Sequence, residues 1–527
     1  MYIVNAYISL YNDNANGFSA INAFSSTFPE KRRRTDFMKE ALLIHPADSV
    51  AVALRPIAAG TEIYGVRALE EIPQGHKMAV RDIRSGEKVI KYGCPIGVAA
   101  ADIPAGTHVH THNLKTGLSE GATYTYNPAE IPAFAPAEGT FMGYPRFDGR
   151  AGVRNDIWII PTVGCVNGIA KQLAKEAQAF IMGSVEKVLA FPHPYGCSQL
   201  GDDQESTRTV LARLACHPNA GGVLVLGLGC ENSGVEQIRA HMEAYDPARV
   251  RFMICQEQED EIESGLEIIK ELIDTASRDT RVPMPLSALT VGLKCGGSDG
   301  LSGITANPVI GRFSDLLAAA GGTTILTEVP EMFGAETLLM NRCPTRELFR
   351  QTVDLINNFK AYYTSHNLPV YENPSPGNKA GGITTLEDKS LGCTQKSGTG
   401  PVRGVLKYGE SVKEKGLNLL CAPGNDLVAA TALAASGAQI ILFSTGRGTP
   451  FAAPVPTLKI ASNTPLAEKK RGWIDFDAGR LISRELSLDA LGAELMQLVR
   501  DTASGKTTLA EENGCTDLAI WKTGVTL

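Results

Sequence analysis

The chain has 527 residues, 43% of them hydrophobic and 20% charged, with a formal net charge of −7. That is too long for one ordinary domain and carries enough apolar material for several cores. The acidic balance excludes a basic nucleic-acid surface, and the absence of any run of 18 apolar residues excludes a spanning helix.

Residues 1–37 stand apart. The first thirty are polar and aromatic without period, and Lys31-Arg32-Arg33-Arg34 follows them. A secretory leader places its charges before the apolar stretch, not after it. Two readings stand: an upstream extension ahead of a start at Met38, or a genuine tail without order. Residues 38–116 read as a small β-rich module, with short apolar strands at 50–54, 77–80 and 88–92. Turn signals at Ala59-Gly60, Pro73-Gln74-Gly75, Ser85-Gly86 and Ala105-Gly106 separate them. Residues 117–140 are rich in Pro and Ala and have linker composition. From 141 to 284 the rhythm is strand, Gly-rich turn, helix, with strands at 157–163, 185–191, 222–228 and 250–255 and helices at 168–179 and 259–276. Pro283 and Pro285 mark a boundary at 278–285. Residues 285–527 continue with strands at 289–294, 323–328, 417–421 and 439–444. Alternation of this kind predicts an α/β body in two parts, each a parallel sheet covered on both faces.

Four predicted strands run into a Cys beside Gly: Val163-Gly164-Cys165, Tyr195-Gly196-Cys197, Gly229-Cys230 and Cys295-Gly296-Gly297. Ligands of open α/β sheets bind beyond the carboxyl ends of strands, so thiolates from several strands can converge there on a soft metal or an iron–sulfur cluster. Taken singly, each Cys reads better as a small core residue; the functional reading rests on four sharing one position relative to their strands. No CxxC pair is present. Eleven Cys in a chain without a secretory leader point to a reducing cytosol.

The run Thr107-His108-Val109-His110-Thr111-His112-Asn113 alternates strictly, which on a strand turns all three imidazoles to one face. Neighbours two apart are separated by about 6.6 Å, so two can share a metal and three cannot without a bulge. His76 can add a ligand. A solvent face that happens to carry His is the competing reading.

Several loops carry polar chemistry after predicted strands. They are Cys295-Gly296-Gly297-Ser298-Asp299-Gly300, Asn373-Pro374-Ser375-Pro376-Gly377-Asn378-Lys379, Pro423-Gly424-Asn425-Asp426 and Thr445-Gly446-Arg447-Gly448. None has a nucleotide fingerprint. Backbone N–H groups and hydroxyls of such loops suit a carboxylate or polyol, and Arg447 suits a bidentate carboxylate clamp. Glu328 and Glu331 sit at another strand end, as metal ligands, bases or a solvated cap.

These motifs, with Gly152-Val153-Arg154-Asn155 and the closing Lys522-Thr523-Gly524-Val525-Thr526-Leu527, resemble the altronate/galactarate dehydratase family over roughly residues 40–527. The Gly196-Cys197-Ser198-Gln199-Leu200-Gly201-Asp202-Asp203 stretch, the His run and Leu301-Ser302-Gly303-Ile304 resemble the altronate branch more than the galactarate branch. The resemblance implies a β-clip (SAF-like) module, a second domain at a homodimer interface and a Rossmann-like C-terminal part. It also implies a cytoplasmic hydro-lyase of hexuronate catabolism that depends on ferrous iron and takes a small sugar acid, converting D-altronate to 2-dehydro-3-deoxy-D-gluconate and water. The roles follow from chemistry: Cys165, Cys197, Cys230, Cys295 and His76 around the metal; Lys379, Asp299 and Glu328 for proton transfer; Arg447, Ser298, Asn378, His110 and His112 on the substrate. Galactarate dehydration by the same fold, and a protein that binds a sugar acid or metal without chemistry, are the rival readings.

Overall fold

The computed structural model describes residues 40–118, 123–131, 133–484 and 486–527. The expected tail at 1–37 lies outside the described residues.

The N-terminal module forms from strands of two to six residues. A four-stranded antiparallel sheet (Ala41–Leu42, Val50–Ala53, Lys77–Ala79, His108–Val109) faces a three-stranded one (Lys88–Lys91, Cys94–Ala99, Leu114–Lys115). Val50, Val52, Ile83, Val89, Ile96 and Val109 fill the space between them. Leu301, Ile304, Ala335 and Leu391 of the C-terminal body complete that core. The module therefore shares its core with the body.

The linker does not hang free. Tyr124 donates from its hydroxyl to Glu336 (2.6 Å), Tyr126 to the Cys343 carbonyl (3.2 Å), and the Ala129 amide to the Asn341 carbonyl (2.7 Å). It runs along the C-terminal body. The linker composition read in 117–140 ends in a strand, Thr140–Pro145, whose edge partner is Val282–Pro285. The two prolines read as a boundary at 278–285 therefore sit inside a strand. An edge strand tolerates them because its outer N–H groups need no partner.

The second domain holds four parallel strands in the order Val188–Ala190, Asp156–Pro161, Ala220–Gly227, Val250–Ile254. Helix Asn167–Ala177 and helix Glu261–Ala276 cover one face through Leu173, Ile269, Leu272 and Ile273. Asp260 caps the longer helix, accepting from the Ile262 and Glu263 amides.

The C-terminal body is a seven-stranded parallel sheet. Edge to edge it runs Val402–Leu406, Gly416–Leu420, Thr323–Leu326, Thr290–Cys295, Ile440–Thr445, Thr457–Ala461, Phe476–Asp477. Its central strands are buried at every position and mostly apolar, with Lys294 and Ser444 among the buried polar residues at the carboxyl ends of the two strands that flank the crevice. The chain leaves Thr290–Cys295 to one side and later returns on the other as Ile440–Thr445. That reversal opens a crevice at the carboxyl ends of these two strands.

One apolar core joins the two sheets: Trp158, Leu211, Leu214 and Val225 pack with Ala429, Ala430, Leu433 and Phe443. Polar contacts fix the register of that joint. Arg154 pairs with Glu511 (2.7 Å), and the Asn219 amide group donates to the Gln439 carbonyl (2.9 Å). His217, stacked on Trp158 with ring centroids 5.2 Å apart, bonds the Ala438 carbonyl through Nε2 (3.2 Å) and accepts the Asn219 amide at Nδ1 (3.1 Å). Both nitrogens are thereby committed to the neutral ring.

Burial pushes the His217 pKa down to about 3 from 6.5, with Arg150 adding to the effect. The unfolded chain takes up this proton first, so the stabilisation is complete above pH 6.5 and declines as pH falls toward the folded value. His217→Gln should be less stable than the parent at pH 7.5, with a shallower loss between pH 7 and 5, measured by urea unfolding. Parallel pH curves for the two proteins would remove His217 as an acid-sensitive element.

Candidate active site between the module and the C-terminal body

Three imidazoles of the N-terminal module converge on the mouth of the crevice. His76 Nδ1 lies 2.9 Å from His108 Nε2, His110 Nδ1 lies 2.9 Å from the Thr384 hydroxyl, and His76 Nε2 donates to the Ala380 carbonyl (3.4 Å). One ring nitrogen from each of His76, His108 and His110 falls within 4.8 Å of the others. Burial, reinforced by neighbouring positive groups, lowers His108 to about 4 and His110 to about 3, and it lowers His76 as well. All three are neutral near pH 7, the form that ligates a metal.

The predicted His strand stops early. Only His108–Val109 is strand, because the Asn113 side chain accepts the His110 amide and donates to the His108 carbonyl, closing a turn. His112 is exposed outside the trio, its ring 5.6 Å from that of His108. His76, on the neighbouring strand, takes the third place.

What holds the trio against the body is a buried charge cluster. Lys77, adjacent to His76 and fully buried, donates to the Gly382 carbonyl (2.7 Å), the Thr384 hydroxyl (2.7 Å) and Asp388 (2.8 Å); Lys91 donates to the other oxygen of Asp388 (2.9 Å). Burial brings the Lys77 ammonium down to about 8, the Asp388 charge opposing it. Both lysines hold the Asp388 carboxyl far below the usual carboxylate range, against its burial. Backbone meets backbone beside this cluster. A Cβ on Gly300 would lie 1.9 Å from the Gly75 carbonyl oxygen, and one on Gly382, at φ +99°, would lie 2.3 Å from it.

The crevice loops arrive next to the trio. Asp299 accepts from the Ser302 amide and hydroxyl (2.9 and 2.8 Å), the Ser462 hydroxyl (2.8 Å) and Asn463 (3.0 Å). Its oxygens are engaged in organising the loop. Asn378 donates to the Ser298 carbonyl (2.9 Å) and, with Ser375, caps the short helix Pro376–Ala380 that carries Lys379. Lys379 is half-buried, and its ammonium shows no hydrogen bond or ion pair among the described residues. The Ser298 hydroxyl is buried without a partner. Arg447, exposed between Gly446 and Gly448, reaches back to the Gly377 carbonyl (3.3 Å). The structure thus brings His76, His110, Ser298, Asp299, Asn378, Lys379 and Arg447 to one neighbourhood.

It does not bring Cys295 to the other three cysteines. Cys295 is buried at the end of its strand, 3.5 Å from Cys393 Sγ and 2.8 Å from Glu331. Cys165, Cys197 and Cys230 are exposed at the ends of the other sheet's strands. Donation from the Cys393 thiol pulls Cys295 down to about 6. Glu328, in left-handed backbone at φ +68°, is fully buried under Lys294 (2.6 Å) and the Cys295 amide (3.0 Å). Burial and the nearby Glu331 raise its pKa well above the carboxylate range. Lys389 ties this buried set to the crevice through Glu331 (2.8 Å) and Asn378 (3.2 Å). Lys77, Asp388, Lys389 and Cys393 were not among the residues expected here, since no local pattern marks the distant groups they pair with.

Three family models match in the same order as the domains: the altronate/galactarate dehydratase SAF domain over 39–117, the D-galactarate dehydratase/altronate hydrolase second domain over 143–277, and the D-galactarate/altronate dehydratase C-terminal domain over 286–526. The chain belongs to the altronate/galactarate dehydratase family. It is accordingly a dehydratase, a carbon–oxygen lyase. It is 54% identical to the altronate dehydratase of Escherichia coli (strain K12) over 92% of this chain and 99% of that protein. Identity to the altronate dehydratase of Bacillus subtilis (strain 168) is 52%, over 93% and 100%. To the galactarate dehydratase (L-threo-forming) of E. coli it is 32%, over 88% and 92%. No described helix is long and apolar enough to cross a membrane.

Gly300→Ala tests the role of the module's seat. The added methyl must displace the Gly75 backbone, and with it His76. An offset of that kind costs on the order of 100-fold in turnover, while circular dichroism should show an unchanged fold. Turnover within a factor of about two of the parent, a difference well under 1 kcal/mol, would mean the seat is not needed.

Proposed function

We propose that the chain dehydrates D-altronate to 2-dehydro-3-deoxy-D-gluconate at the crevice between the module and the C-terminal body. The observation that carries this reading is that the imidazole trio and the loops bearing Lys379 and Arg447 meet, at a topological switch point, in a chain 54% identical to an altronate dehydratase.

The reaction removes the proton on C2, beside a carboxylate, and expels the hydroxyl on C3; the enol then becomes the 2-keto acid. Its difficulty is the second negative charge that builds on an existing anion. Arg447, exposed, suits the carboxylate, and the Ser298 hydroxyl, unpartnered among the described residues, offers a donor to a substrate oxygen. The Lys379 ammonium, without a partner among the described residues, is the group we assign to proton exchange with the substrate; Asp299 keeps the loop in position.

Three neutral imidazoles in a half-buried cluster form a donor set that fits ferrous iron, and the trio is where we place it. Bound there, ferrous iron supplies Lewis-acid stabilisation of the developing anion and the departing hydroxyl. Thr384, itself held by Lys77, fixes the His110 ring, and such outer support sets ligand orientation.

The test is anaerobic loading with ferrous iron followed by a keto-acid assay on altronate and galactarate in parallel. Altronate should be turned over, with galactarate far slower; His110→Ala should lose at least about 10-fold in iron affinity. Arg447→Ala should lose mainly kcat/KM for altronate. Galactarate as the faster substrate would move the reading to the other branch. Binding of altronate with no keto product would mean a protein that recognises the acid without acting on it.

A further inference from the structure

The second domain has a switch point of its own, and three thiols stand on it. The chain leaves strand Asp156–Pro161 for Val188–Ala190 on one side and later for Ala220–Gly227 on the other. Loops at the carboxyl ends of these three adjacent parallel strands carry Cys165, Cys197 and Cys230. Of the eleven cysteines these three are the exposed ones; the other eight are buried or half-buried. Free Cys is among the most buried of residue types, and an exposed thiol is kept for its reactivity rather than its packing.

The loops are bound to one another rather than splayed. The Gly164 amide donates to the Tyr195 carbonyl (3.0 Å), and the Ser233 amide to the Gly196 carbonyl (3.0 Å). Gly196, at φ +101°, lies so close to the first loop that a Cβ there would sit 1.9 Å from the Thr162 carbonyl oxygen. Glu231 gathers the Thr162 hydroxyl with the Leu228 and Gly229 amides. Asn232 accepts the Ser198 amide (3.0 Å) and lies 3.6 Å from Cys197 Sγ. Ser198 occupies left-handed backbone at φ +59°, a conformation that costs energy in a residue with a Cβ and persists only where its surroundings impose it. Local geometry is therefore spent on presenting these sulfurs.

Their spacing argues against one ion held by all three. The three sulfurs do not fall within 4.8 Å of one another, as the ligand atoms of the imidazole trio do. A single tetrahedral ion at about 2.3 Å from each thiolate needs sulfurs roughly 3.8 Å apart. A polynuclear cluster, whose ligated irons are themselves separated, accepts a wider set. We infer that Cys165, Cys197 and Cys230 hold a four-iron, four-sulfide cluster with its fourth iron left open for an oxygen ligand. Each thiol loses its proton on binding. Cys295 takes no part, since it is buried with Cys393 and Glu331 in the other sheet. This centre is separate from the imidazole trio, and its existence does not depend on which sugar acid the enzyme uses.

The full-length protein is reconstituted under nitrogen with ferric iron, sulfide and excess dithiol, one dithiol supplying the two electrons that reduce half of the four irons. The parent should take up about five irons per chain, one at the imidazole trio and four matched by about four acid-labile sulfides, with visible charge-transfer absorption and, after one-electron reduction, a paramagnetic signal. Cys165→Ser, Cys197→Ser and Cys230→Ser should each lose most of the sulfide, whereas Cys515→Ser and His108→Ala should keep it. Thermal unfolding of the three unloaded variants at Cys165, Cys197 and Cys230, all changed at exposed positions, should match the parent. Iron uptake by the parent without acid-labile sulfide, or full sulfide content in the three cysteine variants, would overturn the inference.

Discussion

Asp388, sealed between Lys77 and Lys91, is the contact on which the rest of the arrangement depends. Two ammoniums from the N-terminal module close on one carboxylate of the C-terminal body, all three out of water. Taking such charges out of water costs several kcal/mol per ion, and the cluster persists because the Gly382 carbonyl and the Thr384 hydroxyl take the remaining Lys77 protons. A cluster of this kind contributes little net stability. It contributes position, since one residue from Lys77 is His76 and the other lysine, Lys91, lies on the second sheet of the same module. The module can seat on the body in one register only, with Gly75 pressed against Gly300 and Gly382.

That register is what turns two ordinary pieces into a site. The seven-stranded sheet supplies a crevice lined by loops with an Arg, a Lys and an unpaired hydroxyl. Loops alone do not stabilise a doubly charged anion. The module supplies the imidazoles. Beneath the crevice lies a second buried network, Lys294, Glu328, Glu331, Cys295, Cys393 and Lys389, which reaches the substrate loop through Asn378. It gives that loop a rigid, charge-balanced floor.

Much of the fold was legible in the sequence. Runs such as 222–228 and 440–443 are apolar at every position, as a strand buried on both faces requires, and the parallel sheets followed. The Cys and Gly motifs correctly marked strand ends. What misled was chemistry that local pattern does not reveal. The proline pair at 283 and 285 reads as a break, yet an edge strand admits it. The alternation at 107–113 reads as a full strand, yet the Asn113 side chain turns the chain after Val109. In the candidate site, Arg447, Lys379, Asn378 and Ser298 were visible as polar groups in Gly-rich loops. Lys77 and Asp388 were not, because 311 residues separate them and a lone Lys or Asp in an apolar context carries no mark of its partner. Cys295 looked like Cys165, Cys197 and Cys230 in sequence; only burial distinguishes it from them.

Hydrogen exchange on Asp388→Asn, read beside altronate turnover, bears most directly on the claim that this one carboxylate seats the module. Loss of one charge leaves two buried ammoniums without their counter-ion, a change that costs about 3–5 kcal/mol. Exchange should quicken across 40–117 while the two parallel sheets stay as protected as before, and turnover should fall on the order of 100-fold. Parent-like turnover with an equally protected module would contradict it.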